Sequence, residues 1–372
     1  MKFLHISDIH LNKTIFQYNL LEIQKDLLDQ VIDYMNLNKI DILVMAGDIY
    51  DRSVPSEEAI SVLDEFLNKL INIYHKKVLM IAGNHDSATR LAINNTLLEK
   101  QGLTIVGKPT KKIKKVVIDN VNFYLVPYIT PSDIKVLFDN TNIKTYEEAF
   151  KYYLDQQDID YNQDNVLVAH QFFGPKDSIT RSESESVLSI GGVDNIGAYV
   201  IENFTYSALG HIHTAQKVGK DYCRYAGSLM TYAFEDINKS NGMVEVEISN
   251  HQVSFKQISL KPTKELIVIE DTFDNILNNT NPSNDLVSIK LLDDYIIPNV
   301  KTRLKKKYPN ILQIQYPNYN RTITNNKTRA ENGFEHLSPV ELTQEFYYKM
   351  TNKKMTKEEM KIINDIFGGI KK

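Results

Sequence analysis

The sequence predicts an α/β protein: a two-sheet α/β sandwich, followed by a small α+β unit and a pair of C-terminal helices. Three observations predict it. Over residues 1–86, short apolar runs alternate with stretches at helical spacing, the rhythm of a sheet with helices on its faces. From about residue 103 to 260 the helices thin out and strand-like runs dominate, enough for a second sheet. Beyond Pro262 the pattern restarts on a smaller scale and closes on two capped helical segments.

The elements follow in order. KFLHIS is a strand, and Leu20, Leu21, Leu27, Leu28, Val31, Ile32 and Met35 mark a helix. DILVMAGD is a second buried strand. Ile60, Leu63, Leu67, Leu70 and Tyr74 mark a second helix, started by Pro55 and Ser56. VLMIAGNHD is the third strand. LTIVG, KVVIDNVNFYLVP, NVLVAHQ, YSALGHIH, YCRYAGS, GMVEVEIS and QVSFKQISL read as further strands, with DNVN as a hairpin turn and one helix near 145–157. Residues 1–260 form the main domain. Residues 261–317 hold ELIVIED, LVSIKLL and ILQIQY, with a helical stretch near 296–307. Residues 318–335 are rich in Asn, Thr and Arg and read as a linker. Residues 336–372 hold two helices, each opened by a capping box, at Ser338–Glu341 and Thr356–Glu359.

Composition bounds the chemistry. The chain has 372 residues, 42% of them apolar and 24% charged, an ordinary balance for a protein with a sizeable core. No apolar run approaches the ~18–20 residues of a membrane span, and the polar N-terminus is unlike a signal peptide. One cysteine, Cys223, excludes a disulfide framework and a cysteine-based zinc site, and suits a reducing cytoplasm. Residues 261–372 carry 18 Lys and Arg against 14 Asp and Glu, whereas residues 1–260 carry 25 against 33. The basic excess therefore lies in the last part of the chain.

Chemistry gathers where the apolar runs stop. The first strand ends at Asp8 and His10, the second at Asp48, the third at Asn84 and His85. Later strands end at His170 and at His211 with His213. Residues two apart in extended chain point the same way, and in an open α/β sheet ligands bind beyond the carboxyl ends of strands. Imidazole, carboxylate and amide oxygen without thiolate suit Mn²⁺, Fe²⁺ or Zn²⁺. Each motif alone also fits an ordinary turn; the five in order, each after an apolar run, carry the reading. His5, inside the first strand, reads as a packed histidine.

Asp-x-His, Gly-Asp, Gly-Asn-His-Asp, a lone His and Gly-His-x-His, in this order, resemble the calcineurin-type metallophosphoesterases. LHISDIHL, MAGDIYDRSVPS, AGNHDS, AHQFFG, ESVLSIGG, YSALGHIHTAQ and RYAGSLMTYAFED resemble, more narrowly, the SbcD-type nuclease subunits of bacteria. The resemblance implies two metals about 3.5–4 Å apart. One is held by Asp8, His10, Asp48 and His213, the other by Asp48, Asn84, His170 and His211. It implies Mn²⁺ as the metal, with Mg²⁺, Fe²⁺ or Zn²⁺ as alternatives. His85 would stabilise charge on the phosphate and protonate the leaving oxygen, and Asp86 would orient His85 or its loop. The implied activities are 3′-to-5′ exonuclease on duplex DNA and endonuclease on single strands and hairpins. An SbcC-type ATPase of the structural-maintenance kind is the implied partner, with two nuclease subunits associating through helices near the site.

Residues 261–317 would then cap duplex DNA. Arg90 and the lysines of GKPTKKIKK, among them Lys111, Lys112 and Lys114, are candidate phosphate contacts, as is Lys305. TRSESES (180–186) is either a substrate loop or plain exposed chain. Tyr347, Met350, Met360, Ile363 and Phe367 are the candidate face for docking on the partner. Two positions depart from the family pattern: Asn12 stands where Gly is usual, and Asp51 where archaeal relatives place His. Asn tolerates the left-handed turn, bacterial members often carry Asp at the second position, and neither departure falls on a ligand. A small-molecule phosphodiesterase would use the same metals but has little use for the cap and terminal helices. A non-catalytic scaffold would not need the full ligand set.

Overall fold

The computed structural model describes residues 1–174, 179–180, 182, 195–319, 339–351 and 354–368. Most of 318–335, most of TRSESES, the SIGG stretch and the side chain of Met350 lie outside the described part.

The chain starts with β1 (Lys2–Ile6), a small hairpin of β2 (Thr14–Ile15) and β3 (Tyr18–Asn19), and α1 (Leu21–Leu37). There follow β4 (Ile42–Ala46), α2 (Glu57–Asn68), β5 (Lys77–Ile81), two short helices α3 (Ala88–Leu91) and α4 (Asn95–Leu98), and β6 (Leu103–Val106). Next come β7 (Lys114–Ile118), β8 (Val121–Val126), α5 (Pro131–Phe138), α6 (Tyr146–Asp155) and β9 (Asn165–His170). Then β10 (Tyr206–Gly210), β11 (Gln216–Val218), β12 (Lys220–Tyr225), β13 (Met243–Ser249) and β14 (Gln252–Ile258) complete two six-stranded sheets.

The first sheet runs β14-β13-β1-β4-β5-β6 and the second β11-β12-β10-β9-β8-β7. The central strands β1, β4, β5 and β6 are parallel, as are β8, β9, β10 and β12. Phe3, Val44, Leu79 and Ile81 from one sheet meet Phe123, Val166, Val168 and Tyr206 from the other in a shared core. Alternate residues face outward: Leu43 and Met45 pack with α1 and α2, and Leu167 and Ala169 with α5 and α6. Strands buried on both faces need apolar residues at every position, hence the unbroken runs in the sequence.

Some expectations shift. Helix α2 buries Ala59, Leu63 and Phe66, while Ile60 is 48% exposed and Tyr74 43% exposed. The buried stripe thus lies about one residue round from the expected one. Helix α5 adds to the expected elements, although Thr130, Pro131 and Asp133 spell its capping box. The DNVN turn places Asp119 and Asn120 at φ 48° and 64°, the left-handed pair of a tight hairpin.

His5 is buried between the sheets, with Nδ1 3.2 Å from the Tyr206 hydroxyl. Burial pushes its pKa down to about 3. The folded state therefore keeps His5 neutral while the unfolded chain protonates it below about 6.5. Stability is full above that pH and falls as pH drops toward 3. Urea unfolding of the protein in EDTA is expected to lose about 1 kcal/mol more per pH unit between pH 6 and 4 than a His5→Gln variant does. Identical slopes contradict the assignment.

The chain divides into two compact units. One comprises Met1–Val268, Ser283–Ser288 and Tyr308–Gln313; the other comprises Ile269–Pro282, Ile289–Lys307 and Ile314–Lys372. A three-stranded sheet of β15 (Leu266–Asp271), β16 (Leu286–Leu291) and β17 (Ile311–Gln315) is accompanied by α7 (Phe273–Asn278) and α8 (Val300–Leu304). Within the second unit the Arg303 guanidinium lies 4.0 Å from the centre of the Phe273 ring. The helices Pro339–Thr351 and Lys357–Gly368 turn toward each other through Tyr347, whose hydroxyl donates to Glu359 at 3.0 Å, and through Gln344 at Met360. Thr356 and Glu359 form the expected capping box. Tyr347 and Met360 thus lie at the seam between the helices, and Ile363 and Phe367 are half-buried. Among the described residues of the pair, Leu342, Phe346, Tyr348 and Ile362 are the exposed large apolar side chains.

Candidate metal centre

Five strands deliver polar residues to one end of the sandwich: β1, β4 and β5 of the first sheet and β9 and β10 of the second. The chain leaves β1 and β4 in abrupt turns, with Asp8, His10 and Asp48 at φ 52°, 48° and 51°; His211, after β10, stands at 107°. Left-handed backbone at Asp or His is uncommon and gathers at functional sites. Asn12 takes φ 70°, so Asn does support the turn where Gly is usual. The two turns run side by side: Asp8 N–H donates to the Gly47 carbonyl at 3.1 Å and His10 N–H to the Asp48 carbonyl at 2.9 Å.

Two glycines let these segments close. A Cβ on Gly83 would sit 2.2 Å from Asp48 Oδ1, and one on Gly210 would sit 1.9 Å from the Ala46 carbonyl oxygen. Neither place has room for a methyl group, so both glycines are required by close approach.

The side chains meet in two groups that share Asp48. In the first, His10 Nε2 lies 3.0 Å from His213 Nε2 and 3.6 Å from Asp48 Oδ2, with Asp8 close by. In the second, Asn84 Oδ1 lies 3.0 Å from His170 Nε2 and 2.9 Å from His211 Nδ1, and His170 Nε2 is 3.3 Å from Asp48 Oδ2. Asp8, His10, Asp48, His170 and His213 are buried, and Asn84 and His211 half-buried. All seven residues expected as ligands therefore converge.

The donor set fits divalent cations. His170 Nδ1 donates to the Ala46 carbonyl at 2.8 Å, which turns Nε2 toward the cluster. Burial pushes the Asp48 carboxyl up, but His170, His10 and His85 outweigh it and hold the group well below the usual range. Burial likewise opposes charge on His170, yet Asp48 and Asp8 raise its pKa to about 9. The pocket thus draws a positive charge to the place between its carboxylates, which a metal ion satisfies.

His85 lies beside the first group, its ring edge-on to His10 at 4.7 Å. Its backbone N–H donates to Asp48 Oδ1 at 2.8 Å, and its Nδ1 donates to the Asp51 carbonyl at 3.0 Å. Asp86 accepts from the N–H groups of Ile49, Tyr50 and Gly83, so it orients the loop. Asp51, which is not among the expected ligands, adjoins the cluster. Its Oδ1 lies 3.5 Å from His10 Nδ1 and 3.2 Å from the Lys13 ammonium, so it does touch a member of the ligand cluster. Its position three residues after Asp48 in GDIYD is the signal in the sequence.

Among the candidate phosphate contacts, Arg90 is exposed and donates to the Ser53 carbonyl at 3.1 Å. Lys111, Lys112 and Lys305 are exposed, and Lys114 pairs with Glu99.

Residues 1–215 match the family described as calcineurin-like phosphoesterase, and residues 262–351 match the type 5 capsule protein repressor C-terminal domain. The SbcD chain of nuclease SbcCD from Staphylococcus epidermidis is 34% identical over 322 residues, 84% of this chain and 85% of that protein. The chain belongs to the SbcD family of calcineurin-like phosphoesterases. A second SbcD relative, from Staphylococcus saprophyticus, is 30% identical over 371 residues, 98% of this chain and 97% of that protein. Among solved structures, a dimetal phosphatase from Danio rerio aligns with a TM-score of 0.40 at 11% identity, covering 70% of this chain and 97% of that one. As an SbcD-family member the chain is a metal-dependent phosphodiesterase with a dinuclear metal site and the two-sheet metallophosphoesterase sandwich. Among the described residues no helix is long and apolar enough to cross a membrane.

Proposed function

We propose that this chain is the DNA-cutting subunit of an SbcCD-type complex, working with Mn²⁺ and an SbcC-type ATPase. The observation that carries the reading is the meeting of Asp8, His10, Asp48, Asn84, His170, His211 and His213 around a shared carboxylate, with His85 at its edge. Asp8, His10, Asp48 and His213 would hold one cation, and Asp48, Asn84, His170 and His211 the other. When bound, the two ions supply an activated water and Lewis acidity for the phosphate oxygens.

The remaining work falls to His85. Its Nδ1 proton is committed to the Asp51 carbonyl, so the proton for the leaving oxygen travels on Nε2. The Asp48 contact to its backbone and the Asp51 contact to its ring fix it at both ends, and Asp86 pins the loop to the turn after β4. The substrate end is then held within reach of an acid that does not have to be reoriented.

Duplex ends would be degraded 3′ to 5′, and single strands and hairpins cut internally. Arg90, Lys111, Lys112, Lys114 and Lys305 would meet phosphates, residues 261–317 would cap the duplex, and 318–335 would tether the terminal helices. Docking of 336–372 on the ATPase would use Tyr347, Met350, Met360, Ile363 and Phe367; Leu342, Phe346 and Ile362 are exposed on the same two helices. Two copies would associate through α4, α5 and the turn before α4, where Leu97, Val136 and Ile93 are 71%, 85% and 67% exposed. The reducing cytoplasm is the proposed site of action.

The purified chain with Mn²⁺, offered hairpin DNA and a cyclic dinucleotide in parallel, is expected to cut the hairpin and spare the dinucleotide. Cleavage of the dinucleotide alone, or of neither, contradicts the proposal.

A further inference from the structure

The turn carrying Asp8 and His10 passes through three left-handed residues, Asp8, His10 and Asn12. Such a turn leaves backbone groups outside any regular ladder, and buried groups of that kind need partners. One side chain supplies three of them. Gln24, on the buried face of α1 among Leu20, Leu21, Leu27 and Leu28, is fully buried. Its Nε2 donates to the carbonyls of Ile9 and His10, each at 2.8 Å, and its Oε1 accepts from Asn12 N–H at 2.9 Å.

Tyr232 completes the clamp from the far end of the main domain. Its hydroxyl donates to the Ile9 carbonyl at 2.5 Å and lies 3.2 Å from Gln24 Nε2. Its ring stands edge-on to both His10 and His213, with centroids 6.1 and 5.9 Å away. A glutamine on an otherwise apolar helix face, spending both ends of its amide on one turn, is costly to bury unless that turn must hold its shape. The second ligand group is held differently, through His170 Nδ1 on the Ala46 carbonyl.

We infer that Gln24 and Tyr232 are positioning residues for the first of the two cation sites: they set the His10–His213 pair and leave the second site alone. The inference rests on the ligand set proposed above. It gives the two sites separate supports, so that one can be weakened without the other.

The test uses full-length protein and Mn²⁺ alone, read by bound metal per chain and by the electron paramagnetic resonance signal of paired Mn²⁺ ions. Wild type is expected to take two ions and show the coupled signal. Gln24→Met keeps the volume and loses every hydrogen bond; it is expected to lose the coupled signal. Placed in a His211→Asn background, which isolates the first site, it should weaken Mn²⁺ binding about 10–100-fold. Placed in a His213→Asn background, which isolates the second, it should change binding by less than about twofold. Tyr232→Phe, which removes only a hydroxyl, should act in the same direction and guards against misfolding of the first variant. Equal losses in both backgrounds, or none in either, overturn the inference while the ligand set stands. A wild type that takes fewer than two ions overturns the ligand set and the inference with it.

Discussion

A His85→Gln variant is expected to bind two metal ions with wild-type affinity and to cut DNA about 10²–10⁴-fold more slowly. Glutamine preserves size and polarity but carries no transferable proton at neutral pH. The main-chain contact from residue 85 to Asp48 Oδ1 does not depend on the side chain, so the ligand cluster should stand. The side-chain contact to the Asp51 carbonyl can be kept by the glutamine amide. The defect should therefore lie in the chemical step, and substrate choice exposes it. A p-nitrophenyl phosphodiester releases an anion that leaves without protonation, so the variant's deficit on it should be much smaller than on DNA. Equal deficits on the two substrates would remove His85 from the role of acid, and loss of metal would make it structural.

An Asp48→Asn variant is expected to be worse. Asp48 reaches both groups, 3.6 Å from His10 Nε2 and 3.3 Å from His170 Nε2. The change removes a negative charge from a buried place that must hold two dications, while the amide oxygen can still accept the His85 N–H. Several kcal/mol of charge stabilisation at the phosphate depend on the bound ions, which corresponds to a fall of about 10³-fold or more in kcat/KM. Bound metal measured by mass spectrometry after gel filtration should drop from two per chain to one or none. Two retained ions with near-normal turnover would show that Asp48 does not bridge.

The positions of the candidate ligands were legible because the strands that carry them are buried on both faces. An apolar run such as VLMIA that stops at Asn84 and His85 has no reason to become polar except at the sheet's edge, where β5 ends. The same logic placed Asp48, His170 and His211 from sequence alone. The supporting residues were less legible. Asp51 and Asp86 act through main-chain groups and ring nitrogens of neighbouring turns, and those directions depend on left-handed backbone at Asp8, His10 and Asp48. Residue type does not encode that geometry. Gln24 is the extreme case, since a lone glutamine among Ile23, Leu27 and Leu28 reads as a neutral helix former until the turn beneath it is known. In the terminal helices, periodicity marked an apolar face, but not that Tyr347 and Met360 face the seam and leave Leu342, Phe346 and Ile362 outside.

The most direct test is anomalous diffraction from crystals grown or soaked with Mn²⁺. The account predicts two peaks per chain about 3.5–4 Å apart, with Asp48 between them. Asp8, His10 and His213 should ligate one, and Asn84, His170 and His211 the other. A single peak at full occupancy, or two peaks that do not share Asp48, would contradict it.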